Sequence, residues 1–265
     1  MSKQNPDCPI FVINLDRDTK RLASIDRAIA ALGRSYERVR AIDGRYRFGL
    51  IKRCIHGPMS SPRSRKALTI REVACVLSHL VALRRVIRRR LPIALILEDD
   101  AEWSAKFGHF LSADLSSFMM CCDVLKVEAL RFAGQKPRGF VLANGTTAQL
   151  LIPFAPGVGA AGYVVTLAGA QRLARALGRL EEPVDFVLAR FEMFDIVLGE
   201  TRPALVWQGR YETNLEPERW ASAIPARGPV AFVRRAANWV ARFVGRSRLL
   251  FAALIRRARQ LCRIA

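Results

Sequence analysis

The stretch Ile93-Ala-Leu-Ile-Leu-Glu-Asp-Asp100 decides how the chain folds. Residues 93–97 are a continuous apolar run, the mark of a strand buried on both faces, and three carboxylates follow without a spacer. Upstream, Thr69-Ile-Arg-Glu72 has the spacing of a capping box, and Val73, Val76, Leu77, Leu80, Leu83 and Ile87 continue as one apolar stripe. A helix should therefore lead from Thr69 to near Pro92 and hand the chain to the buried strand. Nearer the N-terminus, PIFVINL (9–15) reads as another buried strand, followed by a helix with Leu22, Ile25, Ile29 and Leu32 on one face and Gly33 at its end. YERVRAID (36–43) alternates like a strand and stops at the Asp43-Gly44 turn. Residues 45–68, basic and rich in Gly, Pro and Ser, read as a mobile loop.

Downstream the patterns predict a helix over 106–119, a strand over 123–128 and strands near 139–142, 149–152 and 160–166. Helices over 168–179 and 185–197 and a strand over 204–208 complete the domain. Strands alternating with helices predict an α/β fold, a mainly parallel sheet with helices on both faces. The uncharged stretch between Arg138 and Arg172 is long enough to cross a bilayer, but Pro153, Pro156 and its glycines are strand and loop chemistry.

A chain of 265 residues with 51% hydrophobic residues can bury a core, which excludes wholesale disorder. Its 43 Lys+Arg against 23 Asp+Glu leave a net charge of +20, which calls for an anionic partner: nucleic acid, a phosphorylated ligand or an acidic membrane. The excess is uneven. Eleven arginines and no acid lie from Arg219 onward, so +11 belongs to the last 47 residues and +9 to the first 218. We divide the chain accordingly into a domain over 1–218 and a basic amphipathic tail over 219–265. In the tail, Phe232, Ala236, Trp239, Val240 and Phe243 share one face opposite Arg235, Arg242 and Arg246; after Gly245 a second segment sets Leu250, Leu254, Ala258 and Leu261 against Arg256, Arg259 and Arg263. Basic amphipathic helices carrying Trp and Phe suit an anionic membrane surface, and residues 230–263 are the expected anchor. An ordinary helix pair packed on the domain is the alternative. No nucleic-acid reading motif accompanies the charge, so nucleic acid is not expected as a partner.

The apolar run Ile10 to Ile13 is too short for a signal-peptide core, which points to a cytoplasmic protein. Cysteines 8, 54, 75, 121, 122 and 262 form no CxxC pair and read as inert thiols. Cys75 and His79 stand four apart on one helix, but without a second ligand pair a zinc site is not expected.

The acids after the buried strand fall where ligands bind in open α/β sheets, at the carboxyl ends of strands. In extended chain Glu98 and Asp100 point one way and Asp99 the other. Hard oxygen ligands on one side suit Mg2+ or Mn2+, with diphosphate oxygens and water completing the shell. Helix capping is the other use of acids at this position.

The ordered segments resemble glycosyltransferase family 25, the lipopolysaccharide and lipooligosaccharide glycosyltransferases. The matching pieces are FVINLDRDTKR (11–21), RVRAIDG (38–44), LTIREVACVLSHL (68–80), ALILEDDA (94–101), DVLKV (123–127), GAAGYVVTLAGA (159–170), PVDFVL (183–188) and PALVWQ (203–208). The resemblance implies a GT-A-like nucleotide-sugar-binding sheet. It also implies inverting transfer of a hexose, galactose or glucose, from a UDP-sugar to the core of lipopolysaccharide or a related glycolipid. The enzyme would work as a peripheral protein on the cytoplasmic face of the inner membrane, and Glu98, Asp99 and Asp100 would hold the Mn2+ or Mg2+. Asp185 in PVDFVL becomes the leading candidate for the catalytic base, with Glu192 and Asp195 behind it; an N-cap is the other reading of Asp185. Asn14, Arg17 and Arg21 follow the first strand; the arginines would hold phosphate bidentately, and Asn14 would read the uracil or ribose. Asp43 would accept from the nucleoside, and Ser78 and His79 would serve the donor site. A solvated helix face for the arginines and a structural role for His79 are the alternatives. The chain departs from the family pattern at Ala74 and at Ala160-Ala161, so the identity of donor and acceptor does not carry over.

Overall fold

A computed structural model describes residues 8–46, 68–128, 138–209 and 229–262, with side chains of the last segment described over 242–259. The loop read over 45–68, Cys54, Cys262 and the tail side chains up to residue 241 lie wholly or mostly outside these residues.

In chain order the elements are β1 (Ile10–Asn14), α1 (Thr19–Ala31), β2 (Glu37–Arg40), α2 (Ile70–Arg88), β3 (Ile93–Glu98), β4 (Ala101–Trp103), α3 (Phe107–Ala113), α4 (Leu115–Met119) and β5 (Val124–Lys126). Then follow β6 (Gly139–Asn144), β7 (Gln149–Pro153), β8 (Gly162–Thr166), α5 (Leu167–Leu177), α6 (Val184–Ala189), a 3-10 turn (Phe191–Met193), β9 (Leu198–Arg202), β10 (Val206–Gln208) and α7 (Pro229–Cys262). One eight-stranded sheet has the order β2-β1-β3-β8-β5-β9-β7-β6, and β10 and β4 form a separate two-stranded ribbon. The apolar residues of β3 are buried, Ala94 to Leu97 completely, between β1 on one side and β8 on the other. Each such Leu or Ile contributes about 1.5–3 kcal/mol on burial, which is why this run can only be central.

The α/β class is as expected, with a central sheet flanked by helices in a generally GT-A-like arrangement. The expectation of a mainly parallel sheet is corrected: β1 pairs in parallel with β2 and β3, and β5 with β9, but the β3/β8, β5/β8, β7/β9 and β6/β7 pairs are antiparallel. An apolar run reports burial on both faces, not direction. The direction is decided when β8 inserts between β3 and β5, an arrangement invisible to local pattern.

The capping box forms as read: the Thr69 hydroxyl accepts from the Glu72 amide, and the Glu72 carboxylate accepts from the Thr69 amide at 2.8 Å. Other boundaries differ. The helix expected over 106–119 is two helices broken at Asp114, whose carboxylate accepts from the amides of Thr146 and Thr147, both at 2.8 Å, and from their hydroxyls at 3.0 and 2.6 Å. The helix expected over 185–197 stops at Ala189, and the chain then turns through Phe191, which is buried, and Asp195 at a positive φ of 57° before entering β9.

The C-terminal pair of segments is instead one continuous helix, α7. Glycine inside a helix costs about 1 kcal/mol relative to alanine. Gly245 is tolerated because it lets the helix approach Glu192, whose Cβ would lie 3.3 Å from an added Cβ. Leu249 and Ala253 are buried in the same hydrophobic core as the sheet. Arg246 donates to Glu192 at 3.2 Å, Arg256 donates to Asp123 at 2.9 Å, and Arg248 pairs with Asp195. Phe243, Val244, Phe251, Leu254 and Ile255 remain exposed. Among the described residues no helix is long and apolar enough to cross a membrane.

Candidate functional site

The register places the site. Ile13 aligns with Glu98 across the parallel β1/β3 pair and Asn14 with Arg40 across β1/β2, so the carboxyl ends of three parallel strands finish level with one another. The chain leaves β3 through the Asp99-Asp100 turn, and α2 passes behind with His79 and Ser78 on its buried face. Eight of the twelve residues singled out from sequence line one cleft: Arg17, Arg21, Asp43, Ser78, His79, Glu98, Asp99 and Asp100. Its enclosed space, about 190 Å³, is below the roughly 300–1,000 Å³ of ordinary ligand pockets, so a nucleotide sugar would fill it in part and extend past its mouth.

Asn14 stands just behind the cleft wall, where its side-chain amide donates to Asp99 at 2.6 Å and its carbonyl oxygen accepts from Arg38 at 2.9 Å. Arg21 bridges the two aspartates, 3.4 Å from Asp99 and 3.3 Å from Asp100. The alternation expected of extended chain therefore holds only in part. Glu98 turns to His79, while Asp99 and Asp100, in the turn, share one guanidinium. Arg17 is ion-paired with Asp43. The Ser78 hydroxyl accepts from the Ile42 amide at 2.8 Å and donates to the Ala74 carbonyl at 2.7 Å, which pins the segment after β2 onto α2.

Burial pushes the Asp99 carboxyl above its ordinary range, against the pull of Asn14 and Arg21. Asp100 is pushed up to about 7, first by burial and then by the negative charge of Glu98. Gln208, at the end of β10, donates to Asp100 Oδ2 at 3.0 Å, while the buried Asp100 Oδ1 has no hydrogen-bond partner among the described residues. A buried carboxylate oxygen without a partner costs on the order of 1–3 kcal/mol or more, and acids crowded at one strand end add repulsion. Both penalties vanish if a cation sits there.

A donor set is present beside it. Cys75, His79 and Glu98 each offer a ligand atom, and these atoms lie within 4.8 Å of one another. The thiol and imidazole come from i and i+4 on α2, as the sequence indicated; the third donor, a single carboxylate and not a second ligand pair, arrives from β3. His79 Nε2 lies 3.1 Å from Glu98 Oε1 and Nδ1 lies 2.8 Å from the Tyr163 hydroxyl. Burial holds the Tyr163 phenol well above its ordinary range, so it stays protonated; Nε2 donates to the Glu98 carboxylate and Nδ1 accepts from the Tyr163 hydroxyl, which could instead accept from Nδ1 if Nε2 held a cation. The residues present thus fit a divalent cation: three donors in reach of one point and an unpartnered buried oxygen nearby.

Several contributors were not singled out from sequence. Gln208 is one. Glu128, just past β5, accepts from the Ala161 amide at 2.7 Å and is raised to about 7 by burial, with the charges of Glu98 and Asp100 adding to the rise and Lys126 opposing it. Gly159 sits against it at a φ of +98°, and an added Cβ would fall 2.6 Å from Glu128 Oε2. Lys126, fully buried, donates to the Gly157 carbonyl, and Glu200, its cross-strand neighbour, accepts from the Gly157 amide at 2.6 Å. The period-2 spacing of Lys126 and Glu128 in DVLKVE was the available signal, since two charges on one face of a buried strand need partners. Ala161 links the site through its backbone: its carbonyl accepts from the Glu98 amide at 2.9 Å.

Asp185 is not brought to the cleft lining. It lies in the first turn of α6, which packs against α2 and α5. Glu192 and Asp195 are engaged by arginines of α7.

Comparison with known proteins shows the family. The chain is 27% identical over 232 residues to a glycosyltransferase 25 family member of Drosophila melanogaster, covering 84% of this chain and 34% of that protein. It is 25% identical over 214 residues to a glycosyltransferase 25 family member of Anopheles gambiae, covering 76% of this chain and 33% of that protein. The chain thus spans about a third of the length of these curated relatives. Residues 7–188, which carry β1 through α6 and nearly the whole cleft, match glycosyltransferase family 25 (LPS biosynthesis protein), and the chain belongs to that family.

Proposed function

We propose that the chain is an inverting glycosyltransferase that moves a hexose, galactose or glucose, from a UDP-sugar to the core oligosaccharide of lipopolysaccharide, with Mn2+ or Mg2+ as cofactor. The observation that carries this reading is the cleft at the ends of β1, β2 and β3, where two arginines face a cluster of buried carboxylates with one oxygen left unpartnered. Arg17 and Arg21 would exchange their carboxylate partners for phosphate oxygens, bidentate recognition that lysine could not reproduce. Asn14 fixes the orientation of Asp99, and Asp43 would accept from the nucleoside. Glu98 and Asp100 would hold the metal with His79 and Cys75 beside them, and Asp99 completes the acid cluster. When bound, the cation would neutralise charge on the departing diphosphate.

Inverting transfer requires a base for the acceptor hydroxyl. The motif-based reading gives that role to Asp185. A second reading gives it to Glu128, favoured by a carboxyl poised at about 7 in electrostatic contact with Glu98 and Asp100. The protein would act in the cytoplasm as a peripheral protein on the inner face of the inner membrane, with the exposed apolar residues of α7 and its arginines meeting anionic lipid.

The test is a donor screen on the full chain with truncated lipopolysaccharide, read by mass spectrometry with Mn2+, Mg2+ or EDTA. A mass gain of one hexose that requires the cation is expected. Folded protein that neither transfers nor hydrolyses any UDP-hexose with either metal would refute the reading.

A further inference from the structure

The ribbon of β4 and β10 lies against the acid cluster, and its two faces differ. Trp207 aligns with Glu102, and Gln208 with Ala101, in the antiparallel pair. Gln208 points to Asp100, so strand alternation sends Trp207 to the opposite face. There the residue is 44% exposed, and its Nε1 donates to Glu102 Oε2 at 3.1 Å. Trp103, aligned with Val206 and so on the other face of the ribbon, reaches the edge of the same hollow, with its ring 5.5 Å from the buried Phe107. With Ser24 and Asp99 these side chains bound a hollow of about 260 Å³. Asp99 lines this hollow and the cleft alike, so the two spaces meet across one carboxylate.

A tryptophan left half in water forgoes much of the stabilisation that its burial would bring, and here a hydrogen bond holds the ring in that position. The chemistry around it is selective. A flat aromatic surface attracts the C–H face of a pyranose through the negative charge of its π face. The Glu102 carboxylate keeps acceptor capacity after its bond to the indole, and Ser24 can donate or accept, which suits the hydroxyls at a sugar's rim. Two carboxylates at the margin repel phosphate, so the hollow is unsuited to the nucleotide and suited to a neutral sugar.

We propose that Trp207 and Glu102 form a saccharide platform that seats a neutral sugar residue of the acceptor beside the cleft. As an acceptor site it rests on the proposed glycosyl transfer; as a sugar-binding surface it stands on its own geometry. Trp207 stacks on the ring, Glu102 accepts from its hydroxyls, and Asp99 marks the passage to the reacting centre.

The test uses the full chain and methyl β-galactoside, methyl β-glucoside and methyl α-mannoside as probes, followed by saturation-transfer NMR. At least one probe should show ring-proton saturation that weakens by about tenfold in apparent affinity in Trp207→Ala and in part with Glu102→Gln, while UDP binding stays unchanged. Trp207→Phe should restore part of the binding, which a merely structural role would not predict. No saturation with any probe, or equal binding by Trp207→Ala, would overturn the platform. Sugar binding lost in Trp207→Ala without any transfer from a UDP-hexose would leave the platform standing and remove the proposed function. Transfer with an acceptor KM indifferent to Trp207→Ala would do the reverse.

Discussion

Asp100→Asn should make the metal-free protein more stable while removing its response to divalent cations. The Asp100 carboxyl is raised from its ordinary 3.8 to about 7, chiefly by burial. The folded state therefore binds this proton more tightly than the unfolded state, and stability falls as pH rises between about 4 and 7. A rise of about three units at about 1.4 kcal/mol per unit gives a penalty of about 4 kcal/mol, fully developed above pH 7. Asparagine keeps the shape and the contact with Gln208 but carries no charge, and Arg21 keeps Asp99 as a partner at 3.4 Å. In EDTA at pH 8 the variant should unfold at higher urea than the wild type; at pH 4.5 the two should converge. Adding Mn2+ should raise the wild-type midpoint at pH 8 and leave the variant close to its metal-free value. Glu128, raised in the same window in part by the charge of Asp100, is relieved of that repulsion in the variant, which adds to the expected gain. A variant less stable than the wild type in EDTA at pH 8, or one that gains as much from Mn2+, would refute the reasoning.

Three further outcomes are expected. Asp114→Ala should cost about 2–4 kcal/mol in urea unfolding, since it strands the amides and hydroxyls of Thr146 and Thr147. The Asp114 carboxyl is held below its ordinary 3.8 by these donors, so its contribution is present above that pH and is lost as pH falls through the depressed value. Replacing the exposed Phe251, Leu254 and Ile255 by Ser should weaken sedimentation with anionic vesicles and leave the unfolding midpoint unchanged, whereas a membrane-independent tail would sediment as the wild type does. If Glu128 is the base, Glu128→Gln should lower transfer by about 10²–10⁴ and abolish an acid limb near pH 7; a loss of that size confined to Asp185→Asn would return the role to Asp185.

Much of the site was legible in one dimension because it is built from strand ends. IALIL must be central, so the acids that follow it must lie at a sheet edge, and FVIN brings Asn14 to the same edge if the strands are parallel. Local signals with short reach also held: the Thr69–Glu72 box starts α2 where its spacing said it should. Signals failed where a distant group competed for the same atoms. Asp114 breaks a periodic helix because its carboxylate serves the β6–β7 turn, and the stretch after Ala189 leaves its helix because Phe191 turns into the core. Gly245 read as a break, yet it sits inside a helix because Glu192 needs the space.

The sequence by itself determined the α/β class, the burial of β3 and the family, all of which rest on local periodicity and on ordered motifs. Tertiary structure decided the strand directions, the addition of Glu98 to Cys75 and His79, the place of Glu128 beside the acids, and the docking of half the basic tail onto the core. The physical reason is the same in each case. Periodicity reports which face of an element is buried, but the charge state and the partners of a buried polar group depend on what packs against that face from elsewhere in the chain.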